Sequence, residues 1–312
     1  MFAPVIVFAY NRPEHLGKTL EALSNNDCAK ESDVFLYIDG PKKPEGIPKQ
    51  QEVLSCAKRY EAGFFRSFTI SVSDHNKGLA ASIIYGVNEI ISRFGRVIVI
   101  EDDAVSAPSF LRFMNDALTF YQSDHTVWSI GGYTVPMDLP KDYKFDVIKT
   151  QRVSSYAWAV WKDRWDKIDW SMPDYPKFCT SFAQRRAFNR WGSDRSSMLD
   201  DQMSGRVQSW AIRFDYYMFR NKMFNIIPKR SLIKSIGNDG SGTNNSATLG
   251  KRDFFETSLY QSQSLFHFEF VPVNETIRKN FCIPFRVSPL YLVKRYFSNQ
   301  IIRKKNKEHR SK

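Results

Sequence analysis

Cysteine is scarce in this chain. Cys28, Cys56, Cys179 and Cys282 lie far apart, with neither a C-x-x-C pair nor the density of a disulfide scaffold, and read as idle thiols in a reducing compartment. No apolar run approaches the roughly 20 residues that a membrane-spanning helix needs. The opening Met1 to Ala9 lacks the basic start and cleavage site of a secretory signal, and Asn11, Arg12 and Pro13 interrupt it, so a cytoplasmic location is expected. There Asn244-Asn245-Ser246 and Asn274-Glu275-Thr276 have no meaning as glycosylation acceptors. No G-x-G-x-x-G follows the first apolar run, which counts against a nicotinamide or flavin dehydrogenase. Gly17-Lys18-Thr19 resembles the end of a phosphate-binding P-loop, but Arg12 stands where the motif needs its upstream glycine. Internal repeats and low-complexity linkers are missing too.

What is present is a folding composition: 312 residues, 42% hydrophobic and 15% aromatic, enough for a large core. The net charge of +12 is unevenly placed. Residues 286–312 hold nine Lys or Arg against one Glu, which leaves the body nearly balanced and weakens a nucleic-acid reading.

Short β-rich runs alternate with amphipathic helical stretches through the first ~130 residues, the pattern of an α/β protein with a parallel sheet covered on both faces. Buried strands are expected at Val5 to Ala9, Val34 to Ile38, Phe68 to Val72, Val97 to Ile100 and Val127 to Ile130. Leu16, Leu20 and Leu23 mark a helix face opening at Pro13. Leu79, Ile83, Val87, Ile90 and Phe94 mark a second, and Phe110, Phe113, Met114, Ala117 and Tyr121 a third. From about Tyr133 the pattern weakens, and mixed structure is expected. The division is residues 1–130, 131–280 and a basic tail over 281–312.

Glu101-Asp102-Asp103 directly after a buried strand is the sharpest local feature. Three carboxylates at a strand end repel one another unless a cation offsets them, and ligands of open α/β sheets bind at those ends. A solvated acidic turn capping the helix near Pro108 is the plain alternative. Asn11-Arg12-Pro13 and Asp39-Gly40-Pro41 end the first two strands and would gather beside it, although each alone is common turn chemistry. Asn76-Lys77-Gly78 opens the second helix and suits a phosphate, a base or a plain helix cap. Ser155-Tyr156-Ala157-Trp158 leads into Trp161 and Trp165, suited to stacking on a sugar or to a core. Asp215, in an aromatic setting, is either a general base or the partner of Arg213. Ser235 to Thr243 is a Gly-rich loop fit to cover a phosphate or an acceptor.

In this order, PVIVFAYNRP (Pro4 to Pro13), Asp39, Asn76-Lys77-Gly78, VIVIEDDAVSAPSF (Val97 to Phe110), SYAWAVWKDRW (Ser155 to Trp165), Ser209 to Asp215 and SLIKSIGNDGSGT (Ser231 to Thr243) resemble GT-A glycosyltransferases. The likeness is to bacterial polysaccharide-type sugar transferases related to the N-acetylglucosaminyltransferase I group, over residues 4–245. It implies a GT-A, Rossmann-like, mostly parallel central sheet with helices on both faces and a mixed acceptor-binding half. It also implies a nucleotide diphosphate sugar donor and a glycan or lipid-linked saccharide acceptor. Asp103 would bind Mn²⁺ or Mg²⁺ bridging the diphosphate, with Asp102 near the ribose and Glu101 near the donor sugar. Arg12, Asp39, Asn76 and Lys77 would line the nucleotide pocket and Trp158 the sugar site. An acidic residue of the acceptor half would be the base, Asp215 first and Asp201 in reserve, giving transfer with inversion. The family often has a His just after the Gly-rich loop, where this chain has Asn244 and Asn245, which leaves a third protein metal ligand without a residue.

In the tail, Leu290, Val293, Phe297 and Ile301 recur at helical spacing beside Lys294, Arg295, Arg303, Lys304 and Lys305. That pattern fits either a helix peripheral on an anionic membrane or a solvated terminal helix. Three other classes compete with the transferase: a nucleic-acid-binding protein, a sugar-phosphate nucleotidyltransferase, and a non-catalytic carbohydrate-binding protein.

Overall fold

The computed structural model describes residues 2–239, 256–261 and 265–310, with side chains described as far as residue 302. In chain order the elements are β1 (Val5–Ala9), α1 (Pro13–Ser24), β2 (Asp33–Ile38), α2 (Ile47–Lys58), β3 (Ser67–Val72), α3 (Leu79–Phe94), β4 (Arg96–Glu101) and β5 (Ala104–Ser106). They continue with α4 (Phe110–Phe120), β6 (Val127–Gly131), β7 (Val147–Thr150), β8 (Ala157–Trp161), α5 (Lys162–Trp165), α6 (Tyr175–Thr180), α7 (Phe182–Phe188), α8 (Arg195–Ser204) and α9 (Trp210–Arg220). The last are β9 (Phe224–Pro228), β10 (Ile233–Ser235), α10 (Glu275–Phe281) and α11 (Pro289–Arg310).

Eight strands form one mostly parallel sheet in the order β3-β2-β1-β4-β8-β6-β9-β7. The β1 to β4 strands all run parallel, as do β6 and β9, whereas β8 is antiparallel to both its neighbours and β7 to β9. Alternation along β1 explains why both faces must be covered. Val5, Val7 and Ala9 join the core under α1, α2 and α4 through Leu16, Val53 and Phe113. Ile6 and Phe8 join the opposite core under α3 and α9 through Ile83, Val87 and Phe214. This is the α/β architecture expected from the sequence.

One expectation changes. β3 is a half-exposed edge strand, since only β2 pairs with it. No break in the sheet falls near residue 130: β8, from the later part of the chain, inserts between β4 and β6. The two halves therefore share one sheet.

Candidate functional site at the carboxyl edge of the sheet

Strand register decides which residues meet. Ala9 pairs with Ile38 and Phe8 with Glu101, so the chain leaves β1, β2 and β4 at one level. That level is the carboxyl edge, where open α/β sheets take ligands. Arg12, Asp39 and the triad Glu101-Asp102-Asp103 are thereby brought together from positions up to 91 residues apart.

Asp102 and Asp103 are buried and Glu101 is partly buried, and the charge is offset from within. The Arg12 guanidinium bridges two carboxylates, pairing with Asp102 and lying 2.9 Å from Asp103 Oδ2. Burial lowers the proton affinity of Arg12, but the two carboxylates outweigh it and keep the guanidinium charged. Burial pushes the Asp102 carboxyl up to about 6 against the pull of Arg12. It raises Glu101 well above the usual range, helped by repulsion from Asp103 and Asp102. Thr19 Oγ1, on α1, donates to the Asp102 carbonyl at 2.8 Å and ties the turn to the body.

Three buried polar atoms here have no hydrogen-bond partner among the described residues: Glu101 Oε1, Asp103 Oδ1 and Arg12 Nη1. A native fold rarely leaves such atoms unmatched without a ligand or water to meet them. Among the described residues no group of three or more His, Cys, Asp or Glu gathers around a metal-sized position. Asp103 Oδ1 is the one Asp103 oxygen without a partner among the described residues, so Asp103 could give an ion a single carboxylate contact, with phosphate or water left to complete the shell.

Asp39 has a different task from the nucleotide contact expected of it. Its Oδ1 accepts from the Gly40 and Lys77 amides, each at 2.9 Å, and its Oδ2 from the Gly78 amide at 2.9 Å and Asn76 Nδ2 at 3.1 Å. Four donors leave the carboxylate little capacity for a ligand. Asp39 and Asn76 instead fix the turn before α3, and Gly78 adopts a φ of +77° there. Lys77 remains available, its Nζ 4.2 Å from the centre of the Tyr85 ring. Tyr37, Asp39, Ser73, Lys77, Tyr85 and Glu89 border a small cavity of about 150 Å³ beside this turn.

The Gly-rich segment reaches the triad over its described part; Gly240 to Thr243, with Asn244 and Asn245, lie outside the described residues. The two-stranded ribbon of β5 and β10 directs it, and the Ile236 amide donates to the Asp103 carbonyl at 2.9 Å. At Gly237 a Cβ would fall 2.0 Å from Asp103 Oδ2. Asp103 is short and held by Arg12, so Gly237→Ala is expected to displace the carboxylate. A thermal melt should show little change in melting temperature, while an activity that depends on the position of Asp103 should fall by about a hundredfold in steady-state kinetics.

Three sequence expectations are corrected. Trp158 is fully buried and stacks on Trp210 at 4.6 Å and on Trp165 at 5.9 Å. Strand alternation points it into the core under α3 and α9, so it does not line a sugar site. The start of the same segment does reach the site: the Glu101 amide approaches the Tyr156 carbonyl at 3.4 Å, and the Tyr156 ring packs on Tyr133. Asp215 is not paired with Arg213. It accepts from Arg195 Nε at 2.8 Å and the Val153 amide at 2.9 Å, with Arg195 itself fully buried. Asp201 is taken by Arg295, at 2.8 and 2.9 Å, and by Asn299 Nδ2 at 2.6 Å. Both carboxylates hold the fold together and lack the open oxygen a base needs.

Sequence reasoning missed His15, whose Nε2 lies 3.1 Å from Asp239 Oδ2 in the Gly-rich segment. Its place one turn into α1, three residues past Arg12, was the available signal.

No family model matches the chain, and no curated protein does. Among solved structures it is similar to TarS 1–349 of S. aureus, with 13% identity and a TM-score of 0.44. It is also similar to the same TarS segment in complex with UDP-GlcNAc, with 14% identity and a TM-score of 0.42. Each alignment covers 75% of this chain and 60% or 58% of the other, so the chain spans about three fifths of those structures.

Proposed function

We propose that this chain is a GT-A glycosyltransferase that moves a sugar from a nucleotide diphosphate sugar to an acceptor hydroxyl. The observation that carries the reading is the triad Glu101-Asp102-Asp103 at the end of β4, with Arg12 between two of its carboxylates and unmatched donor and acceptor atoms left beside it. A diphosphate with its cation would supply the partners those atoms lack. Asp103 would hold Mn²⁺ or Mg²⁺, whose chemistry is to neutralise the departing diphosphate. Arg12 Nη1 would donate to a phosphate oxygen, and Lys77 with the cavity beside Tyr85 would face the nucleoside.

In the reaction the acceptor oxygen bonds to the anomeric carbon as the bond to the diphosphate oxygen breaks, and the hydroxyl proton passes to a base. Glu101 is the only one of the three catalytic candidates with an unpartnered buried oxygen, and its raised proton affinity suits proton transfer. Glu101→Gln keeps a hydrogen-bonding group but cannot take a proton. It is expected to lower turnover by about 10² to 10⁴ with donor affinity nearly unchanged. A parallel loss of affinity would instead mark Glu101 as a contact to the donor sugar.

Product analysis tests the class. With a nucleotide diphosphate sugar the chain should release the nucleoside diphosphate. Release of pyrophosphate from a nucleoside triphosphate and a sugar phosphate would assign it to the nucleotidyltransferases instead. A glycan or lipid-linked saccharide is the proposed acceptor, in a polysaccharide or glycan assembly step at the cytoplasmic side.

A further inference from the structure

The C-terminal helix α11 is fixed to the body on one side and bare on the other. On its inner side Arg295 and Asn299, four residues apart, clasp Asp201 of α8, and Asn299 is 1% exposed. Arg206 donates to Asn299 Oδ1 at 3.0 Å and closes the clasp. These bonds fix the rotation of the helix about its axis. On the side opposite Arg295 and Asn299, at helical spacing, stand Leu290, Val293, Phe297 and Ile301, which are 63%, 53%, 63% and 58% exposed. Tyr291 and Tyr296 are exposed along its flanks. An apolar stripe held outward by buried polar bonds is a built surface, since fraying would not keep one face outward.

We propose that this face docks on an anionic lipid bilayer. The exposed stripe runs from Leu290 to Ile301 along a helix of 22 residues, roughly 33 Å long, the form of a helix that lies in an interfacial plane. Exposed Lys294 adjoins it, and the chain from Arg286 onward is basic by nine residues to one. Apolar side chains at acyl depth, tyrosines at the interface and cations at anionic headgroups are the three elements of an interfacial helix. The inference stands apart from the donor reading and depends on none of its residues.

Vesicle co-sedimentation of the full chain tests it, with phosphatidylglycerol–phosphatidylcholine vesicles against pure phosphatidylcholine. Binding to the anionic vesicles should exceed binding to neutral ones by at least about tenfold and should weaken as salt is raised. The double variant Phe297→Ser with Ile301→Ser should lose at least about tenfold in binding at unchanged melting temperature. Equal binding to both vesicles, sedimentation with neither, or wild-type binding by the double variant would overturn the proposal. So would a wild-type dimer in solution that the double variant converts to monomer, since a second copy would then cover the stripe.

Discussion

Arg195→Met is expected to destabilise the chain by about 3–5 kcal/mol, on the order of 5–10 °C in melting temperature, because it strands a buried carboxylate. Arg195 is wholly inside the protein, where it bonds Asp215 at 2.8 Å and the Phe188 carbonyl at 2.7 Å. Its guanidinium also lies over the Phe188 ring at 4.0 Å. Burial raises the proton affinity of Asp215, while Arg195 and Arg152 oppose the rise. Removing Arg195 takes away the larger of the two opposing charges and leaves only Arg152 and the Val153 amide against burial, so the variant should bind a proton at Asp215 more readily and recover part of its stability as pH falls. Asp215→Asn should be destabilised by a similar mechanism, since the positive charge is then the stranded one. If Asp215 were the catalytic base, Asp215→Asn would melt like wild type and lose only turnover. A thermal melt alongside an activity assay separates the two outcomes.

The second large effect is expected at Arg12. Its side chain and those of Asp102 and Asp103 are each no more than 15% exposed, so Arg12→Met removes the cation that pairs with two buried carboxylates. A loss of about 3–5 kcal/mol at pH 8 is expected. The pH dependence has a definite sign. Asp102 titrates at about 6 in the folded chain, above the roughly 3.9 of an unfolded aspartate. Its protonation therefore favours folding, fully below about pH 4, and that contribution is lost as pH rises through 6. Without Arg12 to oppose burial, the folded value climbs further, and the variant should regain stability towards pH 5 more steeply than wild type. Denaturant unfolding at pH 5 and pH 8 will measure this. Parallel behaviour of the two proteins would mean that Arg12 does not offset the triad.

Most elements of the first ~130 residues were legible from local signals: α1 from Pro13 and its leucine face, α3 and α4 from apolar spacing. α2 was not, since it buries only Val53, Cys56 and Ala57 and shows a weak apolar face. The triad was legible because like charges after a buried strand are costly wherever the chain goes. Partner choice was not. Asp201 meets Arg295 across 94 residues and Asp215 meets Arg195 across a helix pair, and no sequence spacing encodes either. Trp158 misled because aromatic residues in a core and beside a sugar look alike in one dimension. Which way it points depends on β8 lying antiparallel between β4 and β6, a long-range pairing. Asp39 was rightly placed at the edge, but its four donors come from the chain around Gly40 and Asn76 folding back upon it.

Calorimetric titration of UDP, GDP and CMP, with and without Mn²⁺, on wild type and Asp103→Ala tests the central claim most directly. One nucleotide should bind wild type in the presence of Mn²⁺, and Asp103→Ala should abolish that binding while keeping the wild-type fold. Failure of all three nucleotides to bind, with or without the metal, would contradict a donor site at the end of β4.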